Sequence, residues 1–475
     1  MTVSPVSPRP TGLAAGELVE RALAAVAAAN PGGGAMAIVE STGTANLRWA
    51  NNTLTTNGVM SGQQLTVIAT DPRSDGVAAG ALTRTVGTLA DVAALADDAI
   101  AVARAGEVAQ DGRDLVSGGA EDDFADAPVG TDVDVFAALA PTLGRCLDQA
   151  AGRGQRLYGF AEHTLTTTHL GSSTGLRRRH VQPAGYLSTT GKTGDGANSA
   201  WFGQGTRDFT DVDVAAAVSE LDRRLGWGGR RVALDAGRYE TVLPPTSVAD
   251  LMIYAYWTAS ARDAFEGRTV FSRPGGGTRV GERLADRPVT LRSDPGHPLV
   301  GCAPFVTATA SGASSSVFDN GLDSPAVNWV DHGRLEALLT SRYTAELTGL
   351  SSTPAVDNLI VEVDGGTADV ASLVGSTERG LLVTSLWYIR EVDPQTLLLT
   401  GLTRDGVYLV EGGEVTGVVN NFRFNESPVD LLGRIGEAGG SVPAFSREWG
   451  DYFPRVVAPP VRIPDFNCSS VSPAS

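Results

Sequence analysis

The chain has 475 residues, 42% hydrophobic and 19% charged, an ordinary globular composition with enough length to bury cores in two or three domains. Its 37 basic and 54 acidic residues leave a net charge of −17 and a pI near 4.8, which repels polyanions at long range and argues against nucleic acid as a partner. Cys146, Cys302 and Cys468 lie too far apart for a disulfide framework or a Cys-rich zinc site, and neither a secretory leader nor about 18 uninterrupted apolar residues occurs, so a soluble cytoplasmic protein with no membrane partner is expected.

In chain order, "ELVERALAAVAAAN" (17–30) spaces Leu18, Ala22, Ala25 and Val26 as one helical face, and Asn30-Pro31 with three glycines stops it. "AMAIVE", "ANLRWANN", "LTTNGVM" and "QQLTVIATD" then predict short strands separated by Gly, Asn and Ser turns in an antiparallel meander. "GTLADVAALADDAIAVARAG" (87–106) predicts a helix with Thr88 as N-cap and Gly106 at its end. An acidic loop, a helix near 133–151, Thr- and Ser-rich strands through about 206 and a helix at 211–225 complete an N-terminal α+β domain, 1–225.

The second domain, 226–475, opens with "GWGG" and the strand "RVALD" (231–235). The helix "TVLPPTSVADLMIY" (241–254) has Pro244 and Pro245 at its start, Thr246 or Ser247 available to a neighbour, and an apolar face of Val248, Leu251, Met252, Ala255 and Ala259 suited to packing on a sheet. A Gly/Pro/Arg-rich loop (272–298) and a tail of hairpin strands with short helices follow, so the second domain is β-rich, a mixed or barrel-like sheet. The class is α+β.

Catalytic signals are sparse. None of His163, His169, His180, His297 and His332 belongs to HExxH, HxH or a Cys/His cluster; only His163 and His169, six apart, share one face of a strand, with Glu162 on the other. "SGASSSVF" (311–318) is not a nucleophile elbow, and the loops "PGGGA" and "PGGGT" lack the Lys-Ser/Thr of a phosphate-binding loop. The run "GLRRRH" (175–180) reads as a solvated face.

One ordered set of motifs is distinctive: "RYTAELTG" (342–349), "DNLIVEVDGG" (357–366), "ERGLLVTSLWYIREVDPQT" (378–396) and "LTRDGVYLVEGGEVTGVVNNFRFNESPVDLLGRI" (402–435). These resemble the TldD/PmbA (TldD/TldE) metalloprotease family, and the helix-meander-helix front matches its N-terminal pattern more weakly. In that family, TldD-type subunits carry a helix-borne HExxxH whose two histidines, with a later cysteine, hold a metal, the glutamate acting as general base; PmbA/TldE-type subunits lack it. Such ligands leave an open position for a water that a carboxylate deprotonates.

Counting on from "RVALDAGRYETVL" (231–243), the family's histidines and glutamate fall near Pro244, Ala249 and Pro245, none of which binds metal. The segment corresponding to the family's cysteine, "SREWGDYFPRVVAPPVRI" (446–463), has none, and Cys468 follows it. The resemblance therefore implies a metal-free PmbA/TldE-like member with no catalytic or cofactor residues of its own. It would pair with a zinc-bearing TldD-like subunit, or with itself as a homodimer, in a cytoplasmic complex processing unfolded or modified peptides held as extended strands. The family's description as modulators of DNA gyrase comes with it. Two other readings stay open: a stand-alone peptide-binding or regulatory protein, and a peptidase whose metal site is relocated to His163, His169 or His297.

Overall fold

The computed structural model describes residues 14–472. The front of the chain runs α1 (Ala15–Ala29), β1 (Ala35–Ala50), β2 (Thr53–Arg73), β3 (Gly76–Arg84) and α2 (Leu89–Ala105), the expected α-β-β-β-α order. The meander differs from expectation in its turns. The four short runs merge into two long strands, because Gly43, Gly58 and Gly62 lie inside strands and the chain reverses at Asn51-Asn52, whose φ values of 51° and 62° suit asparagine in a tight hairpin. Thr88 and Asp91 form a reciprocal capping box at the start of α2. The helix expected near 133–151 splits into a 3-10 turn (Val133–Phe136) and α3 (Leu139–Gly152).

With β4 (Gln155–Ser172), β5 (Arg177–Thr193) and β6 (Ser199–Thr206), these strands form an antiparallel sheet of order β3-β2-β1-β4-β5-β6. Helices cover one face. At one end α1 and α2 press Leu18, Val19 and Leu95 onto Val39 and Val67. At the other, α3 and α4 (Val214–Gly226) press Leu143, Leu147 and Leu221 onto Leu47, Trp49 and Leu157. Trp49 lies flat against Gly159, where an added Cβ would come within 2.2 Å of the indole. The opposite face receives Phe305 and Phe318 from the second half of the chain onto Met36, Ile38 and Leu170.

The second half builds two further sheets. The larger combines β14 (Leu386–Asp393), β15 (Leu398–Thr403), β18 (Phe422–Glu426), β22 (Val461–Val471), β8 (Gly237–Leu243), β13 (Arg379–Val383), β16 (Val407–Glu411), β17 (Glu414–Val419) and β7 (Arg231–Val232) in that order, with β19 (Glu437–Ala438) beside β22. The expected strand over 231–235 thus shrinks to two residues. The smaller runs β11 (Arg334–Leu335), β10 (Val327–Asp331), β9 (Val289–Ser293), β12 (Leu359–Val363), β21 (Val456–Ala458) and β20 (Val442–Ala444), so part of the expected 272–298 loop is a strand.

Short helices α6 (Ala261–Phe265), α7 (Arg342–Thr348), α8 (Val370–Gly375) and α9 (Pro428–Arg434) lie in the connections. Between the sheets runs α5 (Pro245–Trp257), buried nearly all round, with Val248, Leu251 and Met252 packed among Leu243, Leu291, Leu359 and Leu381. The expected helix is a core helix of an α+β fold, but residues 241–243 belong to β8, Ala259 lies past its end, and burial of Ala249, Asp250 and Ile253 replaces the single apolar face that was expected. Among the described residues no helix is long and apolar enough to cross a membrane.

Candidate functional site

The start of α5 is shaped by its prolines. Pro244 is extended (φ −61°, ψ 166°), Pro245 is the first helical residue, and the Pro244 carbonyl accepts the amides of Ser247 at 3.0 Å and Val248 at 3.1 Å. A proline nitrogen in this turn would have no partner anyway. Ser247 Oγ and Thr246 Oγ1 donate to the carbonyls of Val383 (2.9 Å) and Thr384 (3.2 Å), tying the helix to the end of β13 instead of capping it. Ala249 is wholly buried. These positions present two pyrrolidine rings and a methyl group, so the donor set does not fit zinc.

One residue further on, the fully buried Asp250 takes up the polar role. Its Oδ1 accepts the Ser446 hydroxyl and the Glu448 amide (3.0 Å), and its carbonyl accepts the Trp449 indole N–H at 2.9 Å. Ser446 opens the segment 446–463, which the fold brings against α5, and a carboxyl–hydroxyl pair stands at their junction. Burial pushes the Asp250 carboxyl up to about 7, against the opposing pull of the Ser446 and Glu448 hydrogen bonds.

The Glu448 carboxylate extends this network to β14. It accepts the amides of Tyr388 (2.9 Å) and Ile389 (3.2 Å) and pairs with Arg390 at 3.0 Å, where the β14–β15 register shifts and Tyr388 has φ 57°. The one signal in the sequence for this site is a lone carboxylate among apolar residues in "VADLMIY".

The histidines occupy other places. His163 and His169 share the helix-covered face of β4, as their even spacing predicts, but six residues of strand separate them by about 20 Å. His163 bridges Thr131 Oγ1 (2.7 Å) and the Arg207 carbonyl (2.8 Å), and burial lowers its pKa. His169 Nε2 meets the Asp126 carbonyl at 3.2 Å, with Phe124 edge-on to its ring. With Thr167, which accepts the Val129 amide at 3.0 Å, they hold the 124–131 loop across the gap between the two helix pairs.

His297 Nδ1 accepts the amides of Leu299 and Val300, and His332 sits between Asp331 and Asp364. Among the described residues no three His, Cys, Asp or Glu side chains gather as a metal site. All three cysteines are buried; Cys468 lies in β22 opposite Phe424 and Gly237, its thiol pushed up to about 12, and Cys302 to about 11. Ser311 and Ser316 both donate to Asp111, a structural role. The arginine run is not a solvated face: Arg177 pairs with Glu20, Arg178 with Glu121 and Asp323, and Arg179 with Asp123.

A cleft of about 490 Å3 opens between the N-terminal sheet and the smaller C-terminal sheet. β6 pairs with β5 only over 185–192, so residues 181–184 of β5 carry an edge into this space. Facing it are Pro298–Gly301, Pro443 and Arg455, whose guanidinium is held by Asp357; Arg207 closes one end and reaches the Pro298 carbonyl at 3.4 Å. The walls mix apolar residues with Arg207, Asp208 and Arg455, and the free edge of β5 is interrupted at Pro183, which has no N–H and whose carbonyl accepts the Gln182 side chain at 3.0 Å. Sequence reading missed this cleft because its walls come from seven separate stretches.

Residues 236–470 match the family model described as the PmbA/TldA metallopeptidase C-terminal domain. No curated protein matches the chain in sequence. Among solved structures, TldE from Thermococcus kodakarensis is similar at 16% identity over 95% of this chain and 98% of that one, with a TM-score of 0.73. A protein of Thermotoga maritima described as a modulator of a DNA gyrase is similar at 18% identity over 95% and 99%, with a TM-score of 0.74. Another so described, from Bacteroides thetaiotaomicron, is similar at 14% identity over 96% and 98%, with a TM-score of 0.69. At these identities the likeness is one of fold.

Proposed function

The chain belongs, through residues 236–470, to the PmbA/TldD family, and from that premise we propose that it is the metal-free, TldE-like subunit of a cytoplasmic TldD/TldE-type complex that processes unfolded or modified peptides. The observation that carries this reading is the start of α5: Pro244, Pro245 and Ala249 offer no ligand, and Asp250 is committed to Ser446 and Glu448. The metal and the hydrolytic water belong, in this reading, to a zinc-bearing TldD-like partner. This subunit contributes wall and peptide grip, with the inter-sheet cleft as the binding surface.

Purification of the tagged full chain from its host, followed by metal content and peptidase assay of the complex and of the chain alone, tests the proposal. The expected result is a co-purifying zinc-bearing relative, activity only in the complex and no stoichiometric zinc in the isolated chain. Zinc at one per isolated chain with peptidase activity would overturn it in favour of a relocated site at His163, His169 or His297. The cleft also supports a second reading, a stand-alone peptide-binding or regulatory protein; binding of extended peptides by a chain that brings down no relative distinguishes it. The gyrase-modulator description of the Thermotoga and Bacteroides proteins enters only as a secondary phenotype to be scored in the same host.

A further inference from the structure

Four charged residues line the inter-sheet cleft, Arg207, Asp208, Asp211 and Arg455, and three of them are already matched. Asp208 Oδ1 accepts the Thr210 amide at 3.1 Å and the Thr210 hydroxyl at 2.6 Å, and Asp211 accepts the Thr206 hydroxyl. Asp357 holds the Arg455 guanidinium through its carboxylate and, at 2.8 Å, its carbonyl. Arg207 is the exception. Asp208 feels its charge, but among the described residues no carboxylate stands at ion-pair distance from it, and its guanidinium reaches only the Pro298 carbonyl, at 3.4 Å.

The turn that carries Arg207 is firmly held. Thr206 Oγ1 accepts the amides of Asp208 (3.3 Å) and Phe209 (3.0 Å), Gln204 donates to the Asp211 carbonyl (3.1 Å), and the buried His163 ring meets the Arg207 carbonyl at 2.8 Å. Phe209 is fixed at φ 63°, a costly conformation for an aromatic residue, with its ring edge-on to Phe136 at 4.9 Å. A single unmatched cation is thereby presented to the cleft on a rigid support.

The rest of the cleft defines what that cation receives. Leu165, Val181, Leu299, Val300 and Val456 make much of its wall apolar, and Leu299 is 55% exposed. Gln182, which bonds the Pro183 carbonyl, also crosses to the Gly301 carbonyl at 3.3 Å and ties the two walls together beside the break in the β5 edge. A strand running through would lose its ladder at Pro183, whereas a chain that ends there leaves no bond unmade. The volume, about 490 Å3, suits a small ligand or a chain end.

On the peptide-binding reading of this cleft, we propose that it takes the C-terminal end of a peptide, with the α-carboxylate on Arg207 and an apolar last side chain against Leu299 and Val300. A planar guanidinium receives a carboxylate through two parallel N–H bonds. The net charge of −17 repels acidic peptides at long range, so the fitting partner is neutral or basic apart from that terminal carboxylate.

Calorimetric titration of the purified full chain with an acetylated Ala-Gly-Ala-Leu tetrapeptide, as free acid and as amide, tests this, with dodecanoate as a carboxylate that is not a peptide. The acid should bind about tenfold more tightly than the amide. Arg207→Gln should bring the acid down to the amide and leave the amide unchanged, and Arg207→Lys should recover part of the difference. Equal binding of acid and amide by the wild-type chain, a comparison that needs no variant to fold, would overturn carboxylate recognition and leave peptide binding standing. Dodecanoate binding more tightly than the peptide acid would overturn the peptide as the source of the carboxylate. Binding of none of the three would overturn the site altogether, while the TldE-like reading would still rest on the co-purifying zinc-bearing relative.

Discussion

The two halves of the molecule bury polar groups on opposite terms. In the N-terminal sheet, His163 is buried as a ring joining a threonine hydroxyl to a backbone carbonyl, and desolvation favours its neutral form. In the C-terminal core, Asp250 is buried as a carboxyl, also joined to a hydroxyl and to backbone, and it titrates near 7. The first arrangement hides no charge at neutral pH, whereas the second does whenever the carboxyl ionises. A bridge of the same shape therefore couples stability to pH in one half and leaves it largely silent above pH 7 in the other.

The largest expected effect tests this contrast directly. Because the folded-state pKa of Asp250 is raised from 3.8 to about 7, its stabilising contribution is full below about pH 4 and is lost as pH rises through 7. A shift of about three units corresponds to about 4 kcal/mol at most. Thermal unfolding from pH 4 to 8, followed by tryptophan emission, should show that decline, and Asp250→Asn should flatten it and melt higher than wild type at pH 8. An unchanged slope in the variant would break the comparison.

Ala249→His places an imidazole in a fully packed site and should cost about 3 kcal/mol through overpacking, read as a lowered melting temperature that added zinc does not restore. His163→Ala leaves the Thr131 hydroxyl and Arg207 carbonyl unpaired and should cost about 2 kcal/mol, a loss nearly constant from pH 7 to 9 in the same melting assay. The smallest effect is Pro245→Ala. It removes a pre-set φ at the first helical position without breaking a bond and should lower stability by under about 1 kcal/mol in chemical denaturation.

Local signals carried the front of the fold well. Thr88 with Asp91 and Asn30-Pro31 are decided by neighbours in sequence, so α1 and α2 end where they were expected to. Gly58 and Gly62 misled because glycine marks a turn only when the chain must bend, and the reversal needed at Asn51-Asn52 had already been made. The emptiness of the α5 start was legible from its residue types alone. The Asp250–Ser446 contact joins positions 196 apart, and the cleft joins seven stretches of chain, so neither could be read without the tertiary fold. The arginine run misled for the same reason, since its partners at Glu20, Glu121, Asp123 and Asp323 are scattered along the chain.

The burial of all three cysteines has a practical side. Thiols kept protonated inside a core react slowly with electrophiles, and Lys192, which is exposed on β5, is the only lysine in the sequence. The folded chain therefore presents one ε-amine and no ready thiol. A single engineered surface cysteine would be the sole fast site for a maleimide dye, and Lys192 a second, chemically distinct anchor. Two-colour distance measurements between the halves need no cysteine-free background.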